Sequence, residues 1–137
     1  MTTYLAVPIS AEDLDRATRQ VREAIAAGAR MLELRTDYLN LLDAQSVVRL
    51  IREVRDSGQG RTPAIVTCRD PKEGGAGNHP DALRMQILCA AVEAGADFID
   101  VEHANFIRPE FGRSIQAALA AHSRTRLILS TDRKSVV

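Results

Sequence analysis

The sequence predicts an α/β fold, an incomplete (β/α)8 TIM barrel of about four and a half β-α units with five parallel strands. Three observations predict it. β-favouring runs begin near residues 4, 31, 63, 97 and 126, a recurrence of about 30 residues that matches one β-α unit. The segments between them carry apolar residues at helical spacing. Within the runs, Leu32, Leu34, Ile99, Val101, Leu127 and Leu129 share one face, while Glu33, Arg35, Asp100, Glu102 and Ser130 share the other. Strands covered on both faces, as in an open doubly wound sheet, would be apolar throughout. A face that turns polar toward the C-terminal end of its strands fits a barrel with a site at its mouth.

The elements follow in chain order. Residues 4–9 read as a strand, and Ser10 with Asp13 three residues later reads as a capping arrangement for a helix with the stripe Leu14, Ala17, Val21 and Ile25. Gly28 is its natural stop. The strand Met31–Arg35 follows, and Asp43 is placed to cap a second helix with the buried stripe Val47, Leu50, Ile51 and Val54. Residues 63–68 read as a third strand with Arg69 at its end, leading into a glycine-rich loop over residues 70–78. Pro80 sits where a third helix begins, with the stripe Leu83, Ile87, Leu88, Ala91 and Val92. Residues 97–102 form a fourth strand, Pro109 opens a fourth helix with Phe111, Ile115, Ala118 and Leu119, and residues 126–130 form a fifth strand. Residues 27–35 and 94–102 share one pattern, Ala-Gly-Ala followed by charged, apolar, apolar, acidic, apolar, charged. That is the trace of a repeated unit.

Composition bounds the partners. The chain has 137 residues and is 45% hydrophobic, enough for one domain with a real core. Eighteen basic and eighteen acidic residues cancel, which removes the electrostatic argument for a nucleic-acid or anionic-membrane partner. Residues 1–3 carry no basic region and lead straight into a short run containing Pro8, so no signal peptide is read there. Cys68 and Cys89 have no metal-like spacing and are read as reduced thiols in a cytoplasm. His79, His103 and His122 are scattered and assemble no zinc motif.

Glu33, Arg35 and Arg69 project from the C-terminal ends of neighbouring strands. Arginine offers a fixed fork of donors and glutamate accepts hydroxyl protons, so the three suit a hydroxylated or carboxylated small molecule. The loop Glu73-Gly74-Gly75-Ala76-Gly77 lacks the ending of a P-loop and reads as a lid carrying Glu73 toward the mouth. Cys68 adjoins Arg69 but has the opposite strand parity, so it is expected to pack against helices, and Cys89 to lie in or near the core. His103 is expected in a solvated loop.

Glu33-Leu34-Arg35-Thr36-Asp37, Thr67-Cys68-Arg69 with Lys72-Glu73-Gly74-Gly75, Ile99-Asp100-Val101-Glu102 and Ile128-Leu129-Ser130, in that order, resemble the type I 3-dehydroquinate dehydratases of the class I aldolase group. The resemblance implies a carbon–oxygen lyase of the shikimate pathway, a homodimer when full-length, that converts 3-dehydroquinate to 3-dehydroshikimate with no metal or cofactor. It implies a lysine that forms a Schiff base with the substrate ketone and a histidine that removes the neighbouring proton and helps water leave. Glu33, Arg35 and Arg69 then bind the substrate, and Glu73 supports the histidine.

Two departures accompany the resemblance. The histidine is expected two residues after Ser130, where Asp132 stands, and neither Lys72 in the loop nor Lys134 in the tail matches the Schiff-base position. Residues 1–131 are accordingly read as the N-terminal half of a barrel, and residues 132–137 as an anomalous tail not native to it. The chain by itself is expected to be inactive and, with two unpaired sheet edges, to fold poorly. Two other readings fit the same elements: another imine-forming barrel lyase, and a small-anion binding module with an open parallel sheet.

Overall fold

The computed structural model describes residues 3–131. Strands β1 (Ala6–Ile9), β2 (Met31–Arg35), β3 (Ala64–Thr67), β4 (Phe98–Glu102) and β5 (Arg126–Ser130) form one parallel sheet in the order β1-β2-β3-β4-β5. A doubly wound sheet reverses strand order at a switch point. Here every strand pairs with its sequence neighbour, which is the winding of a barrel wall. Helices α1 (Leu14–Ala26), α2 (Ala44–Ser57), α3 (Asp81–Glu93) and α5 (Pro109–Ala121) pack in a row, α1 on α2, α2 on α3 and α3 on α5.

The register turns sequence alternation into rows across the sheet. Ile9 aligns with Leu34, Leu34 with Val66, Val66 with Ile99 and Ile99 with Leu127. With Val21, Val47, Leu50, Val54, Ile87, Leu88, Phe111 and Ile115 these residues make one aliphatic core between sheet and helices. The opposite face aligns Arg35 with Thr67, Thr67 with Asp100 and Asp100 with Ile128, and beyond them Glu102 with Ser130. One face of the sheet therefore stabilises the fold, and the other is left for polar chemistry.

Asp43 caps α2 as its position predicts, accepting the Ser46 N–H at 2.8 Å, and that bond lowers its carboxyl pKa. At α1 the expectation changes. Asp13 itself is the cap, accepting the Arg16 N–H at 2.8 Å. Ser10 lies too far upstream, because the helix begins only at Leu14 and the capping oxygen must reach the third helical residue. A second difference is α4 (His103–Phe106), one helical turn directly after β4 where the sequence reading placed a loop. His103 is exposed at its start. Cys68 is buried among the helices as its parity predicts, and burial pushes its thiol up to about 12.

The two outer strands show apolar flanks. Leu5 is 83% exposed beside β1, and Leu129 is 46% exposed on β5. No helix among the described residues is long and apolar enough to cross a membrane.

The buried row makes a measurable claim. Ile99 is completely buried at the centre of the sheet, so Ile99→Ala is expected to lower unfolding free energy in urea by about 2–5 kcal/mol. A loss below about 1 kcal/mol, the scale of one lost methylene, would contradict the central position assigned to β4.

Candidate functional site at the strand ends

Strand parity and register bring Glu33, Arg35, Thr67, Asp100 and Ser130 to one face, and Arg69, two residues beyond Thr67, continues it. The carboxylate of Glu33 accepts the Thr67 hydroxyl at 2.8 Å across β2 and β3. Thr67 thereby fixes the first of the three residues singled out from sequence.

Arg69 is the most heavily held. Its Nη1 donates to Glu102 Oε2 and to Ser130 Oγ, both at 2.8 Å, and lies 3.0 Å from Asp100 Oδ1. The Ser130 hydroxyl in turn donates to Asp100 Oδ1 at 2.7 Å. Burial works to lower the Arg69 pKa, but the facing carboxylates of Asp100 and Glu102 outweigh it and the net shift is upward. The guanidinium is thus a fixed cation, with Nε and Nη2 not used in these bonds.

Glu102 is 1% exposed, and a buried carboxylate needs every oxygen occupied. Besides Arg69 it accepts the backbone N–H of Asp70 at 3.2 Å and the Asn105 amide at 2.9 Å. Asn105 comes from α4, so the unexpected turn after β4 is the element that closes this network. The same amide donates to Asp70 at 2.9 Å, and Arg108 Nη1 donates to the Asn105 carbonyl at 3.0 Å.

Beneath lies Arg84 of α3, 1% exposed. It pairs with Asp81 and Asp70, stands 3.7 Å from Glu102 and rests 5.6 Å from the centre of the Phe111 ring. Its Nε and Nη1 have no hydrogen-bond partner among the described residues. At the outer end, the Arg108 hydrogen bond holds the Asp81 carboxyl below its usual range. For Asp70, burial pushes the pKa up, but the Asn105 amide, the Lys72 N–H and the Arg84 charge overcome it, so the net shift is downward.

Arg35 is held by the turn that follows β2. Its Nε and Nη2 donate to the two oxygens of Asp37 at 3.0 and 2.9 Å, and its guanidinium lies 5.1 Å from the centre of the Tyr38 ring. The hydrogen bond from Arg35 to Asp37 is the main cause of a raised Arg35 pKa. Glu73 ends a short 3-10 turn, Pro71–Glu73, and is half-buried at the start of the glycine-rich loop. The positions of Asp132 and Lys134 lie outside the described residues. The sequence names Asp37 only as the end of a motif and gives no role to it or to Asp70, Arg84 and Asn105.

The type I 3-dehydroquinase profile matches residues 5–135. The chain belongs to that family. It is 34% identical over 102 residues to the 3-dehydroquinate dehydratase of Methanothermobacter thermautotrophicus, covering 74% of this chain and 43% of that protein. To the enzyme of Methanosarcina acetivorans it is 31% identical over 121 residues, 87% of this chain and 48% of the other. Among solved structures, 3-dehydroquinate dehydratase from Geobacillus kaustophilus superposes with a TM-score of 0.79 at 22% identity, covering 94% of this chain and 49% of that one. The Clostridium difficile enzyme, solved with covalently modified comenic acid, gives 0.77 at 21% identity over 90% and 48%. These two establish the fold, half of a 3-dehydroquinase TIM barrel. The chain spans about half the length of the curated relatives it matches.

Asp70 carries the pH prediction. Its pKa is lower in the folded state than the unfolded value near 4, so the unfolded chain binds more protons in that range. The stabilisation is complete above about pH 4 and is lost as pH falls through the folded pKa. Urea midpoints measured from about pH 2 to pH 6 should therefore decline on acidification in the wild type and decline less steeply in Asp70→Asn. Parallel acid limbs would remove Asp70 from the network.

Proposed function

We propose that this chain supplies the substrate-binding half of a 3-dehydroquinate dehydratase, the enzyme that removes water from 3-dehydroquinate to give 3-dehydroshikimate. One observation carries the proposal. Arg69 is locked by Asp100, Glu102 and Ser130 on the same sheet face, and at the same end, as Glu33 and Arg35. A preset cation with a hydroxyl-accepting carboxylate beside it suits a small ring bearing a carboxylate and several hydroxyls.

In this reading Arg69 uses its remaining donors on the substrate, Glu33 accepts a ring hydroxyl, and Arg35 contributes positive charge from the rim. Glu73 approaches from the loop to support a general acid/base histidine. The lysine that forms the Schiff base belongs to further strands beyond the described residues, which cover the open edge of β5 and continue round to β1, and the histidine's position, two residues after Ser130, is taken by Asp132. The exposed Leu5 and Leu129 flanks suit such coverage. With neither group in place, the 137-residue chain binds substrate without turning it over. The full-length enzyme works as a cytoplasmic homodimer.

Calorimetric titration with 3-dehydroquinate, followed by borohydride and intact-mass measurement, tests this. The wild-type chain should bind, Arg69→Ala should bind at least about tenfold more weakly, as expected for a lost charged hydrogen bond, and neither should gain a reduced adduct. Absence of binding by the wild type overturns the substrate reading, and release of 3-dehydroshikimate overturns the reading that this chain lacks both catalytic groups.

A further inference from the structure

Asp37 stands just past β2 in the 3-10 turn Thr36–Tyr38, with its carboxylate wholly buried. We propose that Asp37 is a positioning residue, a clasp that aims the Arg35 guanidinium and closes the glycine-rich loop carrying Glu73. The inference rests on the substrate reading above and extends it to a residue with no contact to substrate.

Four contacts meet at this residue. Oδ1 accepts Arg35 Nε at 3.0 Å, Oδ2 accepts Arg35 Nη2 at 2.9 Å, and Oδ2 also accepts the backbone N–H of Ala76 at 2.9 Å. The Asp37 carbonyl oxygen lies 2.9 Å from His79 Nε2. A single carboxylate thus bridges the end of β2 and a loop 39 residues away in sequence. Neither group can shift without disturbing a bond to the other.

The loop is shaped to lie there. Gly77 adopts φ +72°, and a Cβ on it would stand 2.8 Å from His79 Nε2 and 3.3 Å from the Asp37 carbonyl oxygen. A Cβ on Gly75 would stand 2.1 Å from the carbonyl oxygen of Arg69. The same few loop residues therefore press on the backbone of Arg69 and on the clasp of Arg35. Loop closure and the aim of Arg35 become one event, with Asp37 as the joint. Asn at this position keeps the size but replaces one acceptor by a donor facing the guanidinium.

The test uses the 137-residue chain. In Asp37→Asn, amide exchange at residues 74–77 without ligand should rise about tenfold while core strands stay protected, the mark of a local opening. The dissociation constant for 3-dehydroquinate should also rise about tenfold. Adding Arg35→Gln to Asp37→Asn should then weaken binding little further, since Asp37 acts on binding through Arg35 and groups acting through one joint are not additive. A merely structural aspartate would give additive losses, which would overturn the proposal. So would unchanged exchange at 74–77. If Asp37→Asn does not fold, Gly77→Ala leaves the Asp37 carboxylate unchanged, crowds the loop against His79 and the Asp37 carbonyl oxygen, and should produce the same exchange and binding losses. Unchanged binding in that variant overturns the clasp. A wild type that binds no 3-dehydroquinate defeats the substrate reading, and the exchange measurement alone then decides whether Asp37 closes the loop.

Discussion

The structure depends on the burial of one carboxylate. Glu102, at the C-terminal end of β4, is shielded from water almost completely, and an ionised group in that position is tolerated only if cations and donors surround it. Arg69, Arg84, Asn105 and the backbone of Asp70 supply them. They arrive from three elements: Arg69 and Asp70 from the segment after β3, Arg84 from helix α3, and Asn105 from the turn α4. Satisfying Glu102 therefore fixes the relative positions of two neighbouring β-α units, and it presents Arg69 as a rigid cation at the mouth. The arrangement favours geometry over raw stability, since buried ion networks are weak sources of folding energy and strong constraints on where their members sit.

Much of this was legible in the sequence, for physical reasons that can be located. The alternation of Leu32 and Leu34 against Glu33 and Arg35 is a direct print of the pleat, and the register places those residues on the two faces it implies. The helical stripe of α2 is equally plain because a helix buries one side. The family resemblance rested on polar residues at strand ends, and those are the positions that the sheet gathers to one rim.

What escaped was polar chemistry leaving the strands. Strand parity ends at Arg35, and the 3-10 turn after it swings Asp37 inward to a place no period of two predicts. The turn α4 is too short to show helical periodicity, so Asn105 gave no signal. Arg84 did leave one: it lies three, four and seven residues before Ile87, Leu88 and Ala91, on the apolar side of α3. A charge on an apolar stripe calls for a buried acid, and here Asp70 and Glu102 answer it.

The same network explains why half of a barrel wall can carry a formed site. In a closed barrel the inner face is packed by side chains from the opposite strands. Along β2 to β5 the polar inner residues instead satisfy one another within the wall, Glu33 with Thr67, Asp100 with Ser130, and Arg69 with Glu102. The aliphatic core lies wholly on the helix side, so the residues that pack the sheet against its helices are not those of the polar face. Substitutions at Glu33 or Arg69 should act first on recognition, whereas changes at Glu102, Asn105 or Arg84 act on the placement of Arg69 and on packing together. That separation follows from parity alone, because adjacent residues of one strand serve opposite faces.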